Sequence, residues 1–273
     1  MLKKEDFRYR KICAGRFCGY GKKSYVPYFH HSAAEIQLFL YGSGRYFIKD
    51  TTYRIGRNSL LVVHHNEIHR YLPHPGKKVE RLNLVFTPYF IRTRPIIKNI
   101  VDKKLAGFYH VVLPEKEATI VRFLMENIIN ELTSKDEYWE ESSLDSLEKI
   151  LIIVDRVKDK KQTEKTASSL IKRIIDYIDI HFKDGIDLRQ LSDRFNRSIF
   201  TLSRDFKKTT GMGFKEYLVN RKILEAKGLL ETSQMKIESI SRNCGFSDLS
   251  TFNKAFKRLT GLTPAMYRKI RNF

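Results

Sequence analysis

The sequence lacks the features that mark membrane-spanning and secreted proteins. No apolar run approaches the roughly 18 residues of a membrane span. The charged N-terminus, MLKKEDFRYRKI, is not followed by the apolar stretch of a signal peptide. Cysteine is scarce: Cys13, Cys18 and Cys244 form an odd, sparse set that is typical of a reducing cytosol. We therefore expect a cytoplasmic protein that spans no membrane.

Catalytic signatures are also absent from the sequence. It has no serine–histidine–aspartate spacing, no phosphate-binding loop and no paired-carboxylate motif. We therefore predict that the protein is not an enzyme and uses no cofactor.

Positive charge, by contrast, is abundant. The chain has 51 Lys and Arg against 31 Asp and Glu, a formal net charge of +20. The excess lies in two segments. Residues 1–110 have 21 basic and 7 acidic groups, and residues 167–273 have 21 basic and 11 acidic groups. Residues 111–166 have 9 basic and 13 acidic groups and are therefore acidic. Such a balance favours a polyanionic partner, with a solvated basic surface as the alternative.

The hydrophobic pattern predicts a β-rich domain followed by two helices. Up to about residue 90, short runs of Val, Ile, Leu, Tyr and Phe are separated by turn residues, as in an antiparallel sandwich or barrel. From Pro114 apolar residues recur at helical spacing. The two apolar stripes are Val121, Leu124, Met125, Ile128, Ile129 and Leu132, then Leu144, Leu147, Ile150, Leu151 and Val154. The β-rich domain, the other stripe or a second copy must cover them, and we predict a homodimer through residues 111–157.

The C-terminal part contains an internal repeat. Residues 188–221 resemble residues 237–271, with matching positions 49 residues apart at first and 50 apart later. Each copy predicts a short helix, a tight turn and a second helix capped by Ser198 or Ser247. Leu202 and Phe206, and equivalently Phe252 and Phe256, form the buried side of the second helices. Between the copies, residues 214–233 predict one unbroken helix.

This arrangement predicts two helix-turn-helix units, each of which can place its second helix in a major groove of DNA. Hydroxyl, amide and cationic side chains on the free faces suit contacts with base edges and phosphates. The predicted DNA-binding residues are Phe200, Ser203, Arg204, Lys207 and Lys208 in the first unit, and Leu249, Ser250, Thr251, Asn253, Lys254 and Lys257 in the second.

The segment GFSDLSTFNKAFKRLTGLTPAMYR, residues 245–268, resembles the signature of AraC/XylS-type bacterial transcription regulators. The resemblance implies an α+β protein with an N-terminal cupin-like β-barrel, a helical hairpin and a C-terminal all-α domain with two helix-turn-helix units. We predict an effector-sensing domain at residues 1–110, a dimerisation hairpin at 111–157, a linker at 158–166 and a DNA-binding domain at 167–273. The implied partners are a double-stranded DNA operator, a second copy of the chain and, for an activator, RNA polymerase.

Residues 30–71 resemble the strand and turn order of the cupin-type sensor of that family. We predict that Glu35, Phe39, Tyr46 and His69 bind a sugar or small anion between two aromatic walls and two polar groups. Strand alternation puts Glu35 and Phe39 on one face and Leu38 on the other, and either face could line the interior. The alternative is a barrel that binds no metabolite and serves dimerisation or protein contact.

The histidines of this sensor suggest a metal site as a further possibility. His30 or His31 could join Glu35 and His69, since imidazole and carboxylate suit zinc, iron or manganese. The first metal-binding motif of enzymatic cupins separates its two histidines by one residue, whereas here they are adjacent. We therefore predict no metal site.

Overall fold

The computed structural model describes residues 12–20, 33–65, 67–158 and 169–271. The chain divides into two compact units, one with residues 1–48 and 53–166 and the other with residues 49–52 and 167–273. Most of the predicted linker, residues 159–166, lies outside the described residues, as do His30 and His31. The four predicted domain boundaries stay predictions.

Within the described residues, eight strands form two sheets, which lie in the N-terminal unit except for residues 51 and 52. The five-stranded sheet has the order β1 (Ile12–Tyr20), β7 (Lys78–Phe86), β2 (Ala34–Tyr41), β5 (Ser59–Val63) and β8 (His110–Val112). The three-stranded sheet has the order β4 (Thr51–Ile55), β3 (Gly44–Ile48) and β6 (His69–Pro73). Neighbouring strands of the five-stranded sheet pair antiparallel, as do β3 and β6, which confirms the predicted antiparallel β-rich domain.

Strand β2 is buried on both of its faces, and the two faces have different partners. Phe39 packs with Tyr46 and Tyr71 of the three-stranded sheet. Ile36 and Leu38 belong to the cluster that joins the other face of the sheet to the helices. The face that carries Glu35 and Phe39 is therefore the interior of the β domain, and Leu38 lies on its helix-covered side.

The described part of this unit also contains three helices and one π-helical turn. They are α1 (Pro95–Asn99), the π-helical turn Ile100–Lys104, α2 (Glu115–Ser134) and α3 (Trp139–Val157). The stripes of α2 and α3 belong to the same buried cluster as residues of the five-stranded sheet, and Leu147 and Leu151 are fully buried in the single chain. The single chain therefore already covers these stripes, and the homodimer through residues 111–157 stays a prediction.

Between residues 169 and 271 the C-terminal unit consists of helices and the turns between them. Its helices are α4 (Ser169–His181), α5 (Leu188–Phe195), α6 (Ile199–Thr210), α7 (Phe214–Thr232), α8 (Ile237–Asn243), α9 (Leu249–Thr260) and α10 (Pro264–Arg271). Helix α7 is unbroken, as predicted, and α6, α8, α9 and α10 all pack against it. Among helices of the described ranges, none has the length and apolarity needed to cross a membrane.

The two halves of this unit repeat each other in atomic detail. Phe206 meets Tyr217 edge to face at 5.4 Å between ring centroids, and Phe256 meets Tyr267 in the same way at 5.4 Å. The Thr210 hydroxyl bonds the backbone two residues on at 3.0 Å, and Thr260 makes the equivalent bonds at 3.0 Å. These paired contacts confirm the predicted duplication.

Candidate nucleic-acid interface and effector site

Helix α6 is fixed by a polar cap and an apolar inner face. The Ser198 hydroxyl accepts a hydrogen bond from the Thr201 amide at 3.1 Å, which confirms the predicted cap. Leu202 and Phe206 are buried on the inner side, also as predicted. The opposite side of the helix is therefore held towards solvent.

The free side of α6 has an apolar residue in its first turn and cationic residues after it. Arg204, Lys207 and Lys208 are exposed, Ser203 is half-buried, and 77% of Phe200 is exposed. The Arg204 guanidinium donates a hydrogen bond to the Asp205 carboxylate at 3.2 Å. This side combines charge for phosphates with donors and an aromatic ring for bases.

Helix α9 is capped by Asp248, so the prediction of Ser247 as its cap is wrong. The Asp248 carboxylate accepts hydrogen bonds from the Thr251 amide at 2.7 Å and the Thr251 hydroxyl at 2.8 Å. The Ser247 hydroxyl is itself 3.1 Å from that carboxylate. A carboxylate with two acceptor oxygens serves all three groups, and the bonds from Thr251 hold the pKa of Asp248 below its usual value.

The free side of α9 is more polar than that of α6. Phe252 and Phe256 are buried as predicted. The predicted DNA-binding residues of α9 are exposed apart from the half-buried Asn253, namely Leu249, Ser250, Thr251, Lys254 and Lys257. Arg258, one turn beyond Lys254, is exposed as well and was missed, although its spacing of four residues could have found it.

The turn before α9 depends on one glycine. Gly245 has a φ of +74°, and a Cβ there would lie 2.7 Å from the Lys183 carbonyl oxygen. The Lys222 ammonium donates a hydrogen bond to the Gly245 carbonyl, and burial lowers the pKa of Lys222. This contact ties the turn to α7 and sets the direction in which α9 begins.

A polar network fills part of the interior of the β domain. The Glu35 carboxylate accepts a hydrogen bond from the Gln37 amide at 2.7 Å and lies 3.1 Å from His69 Nε2. The Gln37 amide nitrogen also donates to the Tyr46 hydroxyl at 2.6 Å, and the Gln37 carbonyl accepts from Arg81 at 2.7 Å. All five side chains are buried.

Aromatic rings surround this network. Tyr46 stacks with His69 at 6.1 Å and with Tyr71 at 6.0 Å between ring centroids. The Arg81 guanidinium lies 5.8 Å from the Phe39 ring and 5.7 Å from the Tyr71 ring. Burial, followed by the charge of Glu35, raises the pKa of Tyr46 far above its usual value, so its hydroxyl stays protonated.

The structure thus brings the four predicted effector residues, Glu35, Phe39, Tyr46 and His69, into one interior. Sequence reasoning missed four further members of it, Gln37, Tyr71, Arg81 and Asn83. The alternation of polar and apolar residues in VERLNLVF could have found Arg81 and Asn83, which pair with Phe39 and Gln37 across the strands. Within the described ranges, no three His, Cys, Asp or Glu side chains form a metal-binding group.

Two protein-family models match the chain. The model of the AraC-like ligand binding domain matches residues 15–93, which include the strands that hold the polar network. The model of a helix-turn-helix domain matches residues 191–270, which include both α6 and α9. The chain belongs to the AraC/XylS family. Like other members, it is a transcription regulator with an N-terminal ligand-binding domain and a C-terminal helix-turn-helix DNA-binding domain.

Two known proteins resemble the chain along most of its length, and a third resembles its C-terminal part. The transcriptional activator RhaS of Escherichia coli is 23% identical over 253 residues, which cover 90% of this chain and 88% of RhaS. Among solved structures, ToxT of Vibrio cholerae aligns with 96% of this chain and 99% of its own, at 13% identity and a TM-score of 0.41. The C-terminal domain of the response regulator yesN of Fusobacterium nucleatum is 33% identical, with a TM-score of 0.35, over 37% of this chain and 99% of its own.

Proposed function

We propose that the protein binds an operator in double-stranded DNA through α6 and α9 and responds to a small molecule held inside the β domain. It acts in the cytoplasm as a regulator and not as an enzyme. The observation that carries the DNA-binding part is the pair of capped helices packed on one central helix, each with a free basic side. Both free sides present cations to phosphates and polar groups to base edges.

The length of α7 supports binding to two adjacent major grooves. Its 19 residues span about 28 Å at 1.5 Å per residue, close to the roughly 34 Å of one DNA turn. Selection of bound duplexes from a random pool should therefore enrich two short motifs about one turn apart. A pool in which no sequence is enriched at physiological salt would refute the proposal.

The effector proposed for the β domain is a sugar or a small anion. The interior offers one carboxylate, one guanidinium, amides and a phenol between aromatic rings, which is the chemistry that orients polar organic molecules. A specific ligand should raise the melting temperature of the full chain by mass action, worth about 2.7 kcal/mol at one hundred times Kd. Glu35→Gln keeps the shape of the side chain but removes its charge, and it should weaken the binding of such a ligand.

The alternative is a β domain that binds no metabolite and serves dimerisation or protein contact. One observation favours it: Gln37 already forms hydrogen bonds with both Glu35 and Arg81 inside the domain. A screen of sugars, sugar acids and small carboxylates in which no compound changes the melting temperature would support this alternative.

We further propose a homodimer and, because RhaS is a transcriptional activator, contact with RNA polymerase. Since the stripes of α2 and α3 are buried, a dimer through α2 would use its outer side, where 40% of Ile120 and 69% of Phe123 are exposed. Phe123→Glu should then give monomers in sedimentation without lowering the melting temperature. A wild-type chain that is already monomeric at tens of micromolar would contradict the homodimer.

A further inference from the structure

Helices α6 and α9 are the two proposed recognition helices. They differ at one position that the duplication makes directly comparable. Helices α6 and α9 have 12 residues each, and each begins directly after its capping residue. The second residue of the helix is Phe200 in α6 and Ser250 in α9. Both lie in the first turn, the part of a recognition helix that reaches base edges.

The exposed Phe200 ring lies on the free side of α6. Arg204 and Lys207 follow it at spacings of four and seven residues, so the three side chains share one face of the helix. The neighbouring Ile199 is 45% exposed, which extends the apolar surface at the start of the helix. An aromatic ring that is 77% exposed thus lies in the first turn of α6, before the cationic residues on the same face.

The fold itself does not require an apolar residue at this position. The second unit repeats the cap, the buried pair and the aromatic contact of the first, yet it has Ser250 where the first has Phe200. Phenylalanine is also a weaker helix former than leucine, lysine or glutamate, so propensity does not favour it on an exposed turn. The Phe200 ring contributes surface without a role in the core.

The chemistry of the major groove gives this ring one matching base. Thymine presents a C5-methyl group there, the apolar feature of the four bases, and apolar side chains contact it. A phenyl ring cannot accept or donate the hydrogen bonds that the other base edges offer. We propose that Phe200 selects thymine through its 5-methyl group in the half-site bound by α6, and that Ser250 confers no such preference on the half-site bound by α9.

This inference rests on the proposed function and makes the operator chemically asymmetric. The test uses the full chain and the duplex enriched from a random pool, in which each thymine is replaced in turn by deoxyuridine, which lacks only the methyl group. Loss of one buried methyl should weaken wild-type binding about fourfold, the factor that corresponds to about 0.8 kcal/mol. The effect should occur at one or two thymines of the α6 half-site and at none in the α9 half-site.

Two variants connect the methyl group to the ring. Phe200→Ser, which gives α6 the residue found in α9, should bind the thymine and uracil duplexes equally well. Phe200→Leu retains an apolar side chain and should keep part of the discrimination. Because Phe200 lies outside the core, the melting temperatures of both variants should match that of the wild type.

The outcomes separate this inference from the proposed function. Wild-type binding that is unchanged by uracil at every thymine would overturn the methyl contact and leave operator binding intact. Discrimination that persists undiminished in Phe200→Ser would assign the methyl contact to another residue and overturn the role of Phe200. A chain that enriches no sequence would overturn both proposals.

Discussion

Replacing Leu147 with alanine should destabilise the N-terminal unit by about 2–5 kcal/mol, the range of buried leucine truncations. Leu147 is fully buried on α3, in the cluster that includes Ile36 and Leu38 of the sheet. The truncation removes apolar contacts and leaves a cavity in this cluster, which the surrounding side chains close only in part. The loss is therefore expected within one chain, whatever its oligomeric state.

The chain contains its own probe for this experiment. Its one tryptophan, Trp139, begins α3 and packs against the same cluster, so tryptophan fluorescence reports unfolding of this unit. At a urea dependence of about 2 kcal/mol/M, the midpoint of Leu147→Ala should fall by about 1–2.5 M. Lys149→Ala, at an exposed position of the same helix, should change stability by no more than about 0.5 kcal/mol.

Two results would refute the reasoning. A urea midpoint for Leu147→Ala equal to that of Lys149→Ala would mean that the stripe of α3 is not packed in this cluster. A variant that keeps its stability but sediments as a smaller species than the wild type would place Leu147 at an interface between copies.

Three further predictions concern DNA binding, the turn before α9 and pH. Arg204→Ala should weaken operator binding by about 1–3 kcal/mol in gel shifts at fixed salt. Lys215 is an exposed cation on α7, and Lys215→Ala should have a smaller effect. Equal losses in the two variants would exclude Arg204 from the base contacts. Gly245→Ala should lower the melting temperature of the C-terminal unit, because its Cβ would meet a carbonyl of the α4–α5 loop at 2.7 Å. Gly228→Ala in α7, with nothing near its Cβ, should stabilise the unit by about 0.5–1 kcal/mol, and the reverse order would contradict the close approach at Gly245. Burial lowers the pKa of His110 from 6.5 to about 4, so the unfolded chain binds more protons between these values and stability should fall by about 3 kcal/mol as pH drops through that window. His110→Gln should show a shallower dependence in urea titrations, and an unchanged slope would exclude His110 as the cause.

The helical unit could be predicted almost completely because its signals are local. Leu202 and Phe206 recur at helical spacing, and Ser198 precedes the first of them at the distance of a cap. The cap of α9 was mispredicted because the repeat contains a one-residue insertion. The insertion leaves Ser247 one position too early and puts Asp248 directly before the helix.

The surface that covers the apolar stripes of α2 and α3 could not be predicted. A stripe of apolar residues indicates that it is buried but does not indicate against which surface. The sheet, the other helix and a second copy all offer apolar surfaces, and none of them is specified by spacing. In the structure, Leu147 lies in one buried cluster with strand residues more than one hundred positions earlier in the chain, such as Ile36. Contacts of that sequence separation are set by the tertiary arrangement of the whole unit.

The orientation of β2 was open for a related reason, and its outcome explains the polar interior. A strand with one solvated face reveals its buried side by alternation, but β2 is covered by helices on one face and by a second sheet on the other. Alternation then separates two buried environments, and the polar side chains occupy the one where they can satisfy each other. Glu35 and Gln37 can be buried there because Arg81 on the neighbouring strand supplies a donor and a positive charge. The same residues placed beneath the helices would face Leu84 and Val121, which offer no hydrogen bond, so the polar partners on the neighbouring strand decide which side of β2 faces inward.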